Sequence, residues 1–409
     1  MAVLNAESIL RQLVQFPSIS HTSNVAVTDW IDQQLQQLGF VTERVDYRDQ
    51  HGVSKSNVIG RRSPANASQR NDAAAADEWD SDRSRANRSR AGGLAYFAHS
   101  DVVPVDGWNG PGEADPFQAT WQNERLFARG ACDMKGSLAT MLAAASRVDQ
   151  TVQVAPLTIV CTADEEVGFE GAKQVVAHSK FFRELVAEQP LGIVGEPTRL
   201  EVVYAHKGID GFRITSHGRA AHSSTRDGLN ANLAMVPMLD EIKRLYDRSE
   251  SEPQFRNEHF DPPTLTWNFG VSDHAQAVNV TPAESRAWVC FRPMPGVDGQ
   301  ELVEQAKRKA ESLGLSFEPL FGGPPLWGDA ERSSIEELLR ITGGRETKTV
   351  CYGTDGGHFS ELHDLVVCGP GDIAQAHTSD EWIALEQIQR GTDVYEQAIR
   401  HWCTSSDFA

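Results

Sequence analysis

Long apolar runs and closely spaced cysteines are both missing from this 409-residue sequence. No stretch approaches the roughly 20 consecutive apolar residues of a membrane span, and the N-terminus lacks the basic start and apolar core of a secretory signal. The six cysteines are scattered, without the C-x-x-C spacing of a structural zinc site or the density of a disulfide scaffold. We therefore expect a cytoplasmic protein with no membrane partner.

Positive charge is scarce as well. Lys and Arg total 38 against 57 Asp and Glu, giving a formal net charge of −19. A surface of this sign repels a phosphate backbone, so we expect no nucleic-acid partner. Hydrophobic residues at 40% and charged residues at 23% are typical of a folded globular chain, and the length suggests more than one domain.

The residue pattern predicts an α/β domain, the candidate for the catalytic domain on account of its polar motifs, that is interrupted by a second domain. Over residues 1–200, apolar strands alternate with helices, which is typical of a mainly parallel mixed sheet flanked by helices. Over 201–318 the order of strands and helices is close to that of a ferredoxin-like α+β unit. The α/β pattern returns over 319–409, so we predict that 201–318 is inserted between two segments of the catalytic domain.

Residues 61–93 differ in composition from the rest of the chain. Beyond alanine, the only sizeable apolar side chain is Trp79, and arginine, serine and aspartate dominate. Such a segment cannot build a core. We interpret it as a solvated low-complexity surface insertion, with an Arg-rich recognition arm as the alternative.

Five polar motifs follow apolar strands or precede a helix in this α/β region. The carboxyl ends of parallel strands meet at one edge of a sheet, where ligands gather. Two histidines with several carboxylates form a mixed N and O donor set that suits Zn²⁺, Co²⁺ or Mn²⁺. The candidate residues are His99 with Asp101, Asp133, Glu165 with Glu166, Glu196, and His377.

Taken singly, each motif has a plain structural alternative. His99 and Asp101 could be a polar pair at a strand end, and Asp133 could be a helix N-cap. The acidic run 164–166 could be a solvated loop, although adjacent anions repel unless a cation holds them. The convergence of all five on one edge favours a metal site, in which Asp133 could bridge two ions about 3.5–4 Å apart.

The same motifs resemble a known family. They are similar to those of the acetylornithine deacetylase / succinyl-diaminopimelate desuccinylase family of co-catalytic zinc deacylases and carboxypeptidases, and the resemblance covers nearly the whole chain except 61–93. The motifs are AHSDVVP (98–104), GACDMKG (130–136), ADEE (163–166), GEPT (195–198) and QAH (375–377).

The resemblance implies two Zn²⁺ per subunit, with Co²⁺ or Mn²⁺ as substitutes. Asp101 would support a ligating histidine, and Glu165 would be the general base that deprotonates water and passes the proton to the leaving amine. The implied metal ligands are His99 and Glu196 on one ion, Glu166 and His377 on the other, and Asp133 on both.

In this family the inserted domain is a dimerisation lid. The motif GRAAHSS (218–224) resembles its histidine motif, which implies that His222 reaches the partner subunit's active site and stabilises an oxyanion. A surface histidine is the alternative. The resemblance also implies that several residues of this chain bind the carboxylate of the substrate. The alternative is that they are ordinary turn residues and a charged side chain at the edge of a strand. These candidates are Asn279, Arg292, Gly353, Thr354 and, more weakly, Lys207.

The function implied is removal of an acyl group from an N-acyl amino acid by a homodimeric dinuclear zinc amidohydrolase. Motifs 204–208, 221–224 and 369–377 are more similar to the acetylornithine deacetylase branch, which acts in arginine biosynthesis. Loop 353–359 is nearer the desuccinylase pattern. Desuccinylation, carboxypeptidase or dipeptidase activity, and a non-catalytic binding relative therefore stay open as alternatives.

Overall fold

The computed structural model describes residues 3–65, 92–274 and 277–405. Most of the predicted insertion, residues 66–91, lies outside the described residues. Two compact units share the chain: unit 1 is Met1–Ala205, Trp327–Lys348 and Thr354–Ala409, and unit 2 is His206–Leu326 and Thr349–Gly353.

Nine helices and sixteen strands are assigned among the described residues. The helices are α1 (Ala6–Leu13), α2 (Val25–Gln37), α3 (Lys135–Arg147), α4 (Glu170–His178), α5 (Lys180–Glu188), α6 (Ala231–Ser251), α7 (Gln300–Ser312), α8 (Ser333–Thr342) and α9 (Leu385–Cys403). The strands are β1 (Val41–Arg48), β2 (Ser54–Arg62), β3 (Leu94–His99), β4 (Thr120–Gln122), β5 (Arg125–Phe127), β6 (Leu157–Thr162), β7 (Leu191–Pro197), β8 (Val203–His206), β9 (Asp210–His217), β10 (Asn268–Ser272), β11 (Glu284–Phe291), β12 (Ser316–Pro319), β13 (Leu326–Trp327), β14 (Lys348–Val350), β15 (Leu365–Gly369) and β16 (Trp382–Ala384).

A nine-stranded mixed sheet contains most strands of unit 1. Its order is β1-β2-β6-β3-β7-β15-β8-β13, with β14 paired to β8. The four central strands, β6, β3, β7 and β15, run parallel. Pairing of His99 with Thr162 places the ends of β3 and β6 side by side. The predicted mixed sheet is confirmed: the outer pairs β1-β2, β2-β6 and β15-β8 are antiparallel, and the four parallel strands at its centre end at a common edge.

Both faces of this sheet are covered. Neighbouring side chains of a strand point to opposite faces, so one strand packs against elements on both sides. On one face, Tyr96 packs edge-on against Tyr395 of α9, with ring centroids 5.3 Å apart. On the other, Phe97 stacks on Phe359 at 4.5 Å, and Phe359 also contacts Phe182 of α5.

Helix α3 lies inside unit 1. All its residues up to Ser146 are buried, and it packs against α1 and α9. Its alanines allow this close approach and favour the helix, since alanine has the highest helix propensity. The start of α3, just after Asp133, is therefore held firmly within the core.

A second sheet of unit 1 has the order β16-β5-β4 and is antiparallel. These strands are only three residues long, and the sequence pattern did not predict them. Pairing of Trp382 with Phe127 brings the residues before β16 beside those after β5.

Unit 2 contains an antiparallel sheet of order β10-β11-β9-β12 and the helices α6 and α7, which pack against each other. The chain order β9-α6-β10-β11-α7-β12 is the β-α-β-β-α-β pattern of the ferredoxin-like fold. The predicted α+β unit is therefore confirmed.

Within the three described stretches of chain, none of the helices combines the length and the hydrophobicity needed to cross a lipid bilayer.

Candidate metal centre

Six of the predicted residues converge at the carboxyl edge of the parallel strands. Their donor atoms form three groups, and within each group all donor atoms lie within 4.8 Å of one another. The groups are His99 with Asp133 and Glu196, Asp133 with Glu166 and His377, and His99 with Glu165 and Glu166.

Asp133 is shared by two of these groups. Its Oδ1 lies 3.1 Å from His99 Nε2, and its Oδ2 lies 3.4 Å from His377 Nε2. Glu196 Oε1 lies 3.7 Å from His99 Nε2, while Glu166 Oε2 lies 2.9 Å from His377 Nε2. One carboxylate therefore stands between two donor sets of similar composition.

A backbone hydrogen bond fixes the tautomer of His99. Its Nδ1 lies 2.9 Å from the carbonyl oxygen of Asp101, which can only accept, so Nδ1 carries the hydrogen. In the neutral ring the lone pair of Nε2 then faces the other donor atoms. A ligating histidine needs such a partner on its second nitrogen.

The carboxylate of Asp101 has a different partner from the one predicted. It lies 3.7 Å from His99 Nδ1, too far for a hydrogen bond. It accepts instead from Ser20 Oγ at 2.8 Å and from the backbone N–H groups of Glu165 and Glu166 at 3.2 and 3.3 Å. Asp101 thus supports His99 through its main chain and the glutamate loop through its side chain.

Of the three consecutive acidic residues, only the last two face the cluster. The carboxylate of Asp164 accepts from the buried Lys55 Nζ at 2.5 Å and from Tyr47 Oη at 2.8 Å. Asp164 has a φ of 57°, in the left-handed region that non-glycine residues seldom adopt. This turn separates its side chain from those of Glu165 and Glu166.

The cluster carries more negative charge than its imidazoles can balance. Burial, with the charge of Asp133, raises the pKa of Glu166 to about 7. Burial and the charge of Glu196 raise the pKa of Glu165 well above its usual range. Hydrogen bonds to Asp133 and Glu166 raise the pKa of His377 to about 10. Divalent cations would relieve this repulsion, so the donor set fits a pair of metal ions.

The remaining predicted residues lie mostly in unit 2. His222 is exposed, and its Nδ1 accepts from Ser224 Oγ at 2.7 Å and from the Ser224 N–H at 3.2 Å. Asn279 is also exposed, and its backbone carbonyl accepts from the N–H of Ser223 at 2.9 Å. Arg292 is half-buried directly after β11.

Three further candidates have mainly structural contacts. Lys207 of unit 2 is fully buried, and its ammonium donates to the carbonyls of Pro262 and Thr264 at 2.8 and 2.6 Å. Gly353 ends unit 2. Thr354 begins the last segment of unit 1, and its Oγ1 accepts from the N–H of Gly356 at 3.0 Å.

Sequence reasoning missed two buried carboxylates of unit 1. Asp355 accepts from Thr162 Oγ1 at 2.5 Å, at the end of β6. Glu381 is 1% exposed and accepts four hydrogen bonds from the segment that carries Asp133. A signal for Glu381 was available in the acidic pair that follows the His377 motif.

Two donor sets that share one carboxylate, with a further glutamate beside them, are suited to polarising a carbonyl and activating water. Fold and site thus define the class of this chain, a metal-dependent hydrolase that acts on amide bonds. Residues 95–401 match the model of peptidase family M20/M25/M40, and the chain belongs to that family.

Individual relatives agree with this assignment. The chain is 32% identical over 407 residues to an acetylornithine deacetylase of Myxococcus xanthus, covering 96% of each chain. Among solved structures, it resembles the M20 family metallo-carboxypeptidase Sso-CP2 from Sulfolobus solfataricus, with a TM-score of 0.72 at 16% identity over 98% of this chain and 99% of the other. It also resembles the YXEP protein of Bacillus subtilis, described as a dinuclear metal binding peptidase, with a TM-score of 0.59 at 14% identity over 96% of each chain.

Proposed function

We propose that the protein is a dinuclear zinc amidohydrolase that converts N-acetyl-L-ornithine and water to L-ornithine and acetate. The observation that carries the proposal is the position of Asp133, whose Oδ1 lies 3.1 Å from His99 Nε2 and whose Oδ2 lies 3.4 Å from His377 Nε2. The relative from Myxococcus xanthus, an acetylornithine deacetylase, supports the substrate. The dinuclear metal binding of the Bacillus subtilis protein supports the number of ions.

Five side chains would hold the metal. A set of imidazole and carboxylate donors without thiolate favours Zn²⁺, with Co²⁺ or Mn²⁺ as substitutes. When bound, such ions polarise the substrate carbonyl and lower the pKa of water. The proposed ligands are His99, Asp133 and Glu196 for one ion, and Asp133, Glu166 and His377 for the other.

Glu165 is proposed as the general base. Its carboxylate lies 4.0 Å from His99 Nε2, and its backbone N–H donates to Asp101. Glu165 would take a proton from water as the water oxygen bonds to the carbonyl carbon, and it would pass that proton to the leaving nitrogen as the amide C–N bond breaks. Asp101 keeps the loop of Glu165 in place during both transfers.

Unit 2 is proposed to supply the rest of the active site as an inserted lid. His222 would stabilise the oxyanion in the partner subunit's site. The carboxylate of the substrate would bind Arg292, whose guanidinium suits a bidentate grip. Asn279, Gly353 and Thr354 are proposed as further contacts of that carboxylate. Lys207 has the weakest support, because its ammonium already binds two carbonyls.

A substrate panel tests the proposed reaction. We expect the zinc- or cobalt-loaded enzyme to hydrolyse N-acetylornithine with a kcat/KM at least about tenfold above those for N-succinyl-diaminopimelate and dipeptides, a difference of about 1.4 kcal/mol in transition-state binding. Release of free amine measures each rate. A preference for the succinyl substrate, consistent with loop 353–359, or for dipeptides would contradict the proposed substrate while keeping the same chemistry.

The alternative of a non-catalytic relative is tested separately. Elemental analysis of the freshly purified protein should find bound transition metal. Protein without such metal, and without activity on the whole panel after metal is added, would support a binding function. We place the reaction in the cytoplasm, as for an enzyme of amino-acid biosynthesis.

We also propose that the protein is a homodimer formed through unit 2. Among the described strands of its sheet, β10 is at the edge and has one side available for pairing. Apolar side chains near it are exposed, including Leu233 at 72% and Val236 at 61% on α6 and Val271 at 50% on β10. An apolar face beside an open strand edge suits a two-fold interface with a second copy.

The dimer can be tested by mixing inactive variants. If His222 serves the partner's site, Glu165→Ala and His222→Ala subunits should be inactive alone, yet random mixing should restore about a quarter of wild-type activity, because each mixed dimer has one complete site. Sedimentation of Leu233→Asp should show monomers. Absence of complementation in verified mixed dimers would contradict the role of His222.

A further inference from the structure

Glu381 lies outside the proposed ligand set, yet it contacts the segment that contains Asp133. Strand β16 pairs with β5, and Trp382 lies opposite Phe127. This pairing places Glu381, the residue before Trp382, next to the turn that follows β5. The N–H of Ala128 donates to the carbonyl of Glu381 at 3.2 Å and extends this pairing by one residue. The side chain of Glu381 is consequently directed into the turn formed by residues 129–133.

Each oxygen of this carboxylate has two donors. Oε1 accepts from the N–H groups of Cys132 and Asp133 at 2.8 and 3.0 Å. Oε2 accepts from the N–H of Gly130 at 2.9 Å and from Nη1 of Arg129 at 2.8 Å. All four partners can only donate, so Glu381 is bound as an anion, and hydrogen bonds to an anion are the strong ones.

The position of Glu381 in the chain links two loops of the metal centre. It follows His377 by four residues and, through its side chain, holds the backbone of Asp133. Asp133 and His377 are neighbours in the cluster, with Oδ2 and Nε2 3.4 Å apart. A single buried carboxylate thus connects the main chain of the shared ligand to the segment that carries the exposed histidine.

We infer that Glu381 is a positioning residue that sets the metal affinity of the site by fixing the backbone of Asp133. This inference rests on the proposed function, because it takes Asp133 as a shared ligand. Groups that orient metal ligands typically contribute about 10–100-fold to metal affinity. Arg129 is the counter-charge that lets this anion remain buried, because its Nη1 lies 2.8 Å from Glu381 Oε2 and both side chains are buried. Its Nη2 also donates to the carbonyl of Pro104 at 3.2 Å.

The test replaces Glu381 by glutamine and titrates the metal-free protein with Co²⁺, whose visible absorption reports the geometry of its ligands. We expect Glu381→Gln to bind Co²⁺ about 10–100-fold more weakly than the wild type, with an altered absorption spectrum. In either orientation of the glutamine amide, its NH₂ group would face two N–H donors where the carboxylate has an accepting oxygen.

Asp364→Asn is the matched control. Asp364 is also a buried carboxylate of unit 1 paired with an arginine, at 2.5 Å from Arg332 Nη1, but it lies just before the start of β15, at the opposite end of that strand from the cluster. Loss of the negative charge of Asp364 should destabilise unit 1 without changing the affinity for Co²⁺. If Glu381→Gln does not fold, Glu381→Asp, which keeps the charge and withdraws the oxygens by one methylene, is titrated in the same way.

The outcomes separate the inference from the proposed function. Wild-type affinity in the Glu381 variant, or an equal loss in both variants, would overturn the inference. Failure of the wild type to bind two equivalents of Co²⁺ would instead contradict the proposed dinuclear site.

Discussion

Replacing Glu165 by alanine should lower kcat by about 10²–10⁴-fold, the usual contribution of a general acid–base residue, while fold and metal content stay close to those of the wild type. Glu165 lies within 4.0 Å of His99 Nε2 but is not needed to complete either donor set that shares Asp133. Its removal also takes one buried ionisable group from a cluster in which burial and neighbouring carboxylates disfavour the charged form and raise the pKa of Glu165. We therefore expect no loss of folding stability.

The measurement is the steady-state rate on N-acetylornithine, combined with elemental analysis of each protein. Glu170→Ala is the control, because Glu170 lies nearby at the start of α4 but is 44% exposed and lies 3.7 Å from Lys173 Nζ. A Glu165→Ala enzyme with near-normal turnover would refute the general-base role.

Replacing Asp133 by alanine should have a still broader effect, because this carboxylate belongs to both donor sets. We expect bound zinc to fall well below two ions per chain and turnover to fall by at least about the 10²–10⁴-fold expected for the base. Removal of Asp133 also leaves His99 and His377 without their common partner.

Thermal unfolding with and without zinc provides an independent measurement. A ligand that binds only the folded state at 100 times its Kd stabilises that state by about 2.7 kcal/mol. The midpoint of the wild type should therefore rise with zinc, and that of Asp133→Ala should not. Asp149→Ala is the control, since Asp149 is an exposed aspartate that caps a short helical turn, with Oδ1 2.8 Å from the N–H of Thr151. An equal zinc-induced rise in both variants would exclude Asp133 as a ligand.

The central sheet could be predicted from the sequence because its strands are short continuous apolar runs. Strands of this kind that alternate with helices form parallel sheets. Once the strands are parallel, their ends share an edge, and the side chains after LAYFA, LTIVC and LGIV must meet there. The structure brings together His99, Glu166 and Glu196 for this reason.

Other features depend on contacts that the pattern does not contain. Helix α5 begins at once after α4, because Ser179 ends one helix and its Oγ accepts from the N–H of Phe182 in the next. The partners of Glu381 precede it by about 250 residues, and only the register of two three-residue strands brings them together. Such short strands carry too few residues for a periodicity to be read.

The position of β15 in the sheet has a consequence for how this polypeptide folds while the ribosome makes it. This strand pairs with β7 in the middle of the sheet, although unit 2 separates the two along the chain. While the ribosome makes residues 206–326, the edge of β7 that will pair with β15 has no partner strand, and His377 has not yet been synthesised. On the proposed ligand assignment, the nascent chain can offer one complete donor set early, but the second ion can be captured only after nearly the whole polypeptide has emerged.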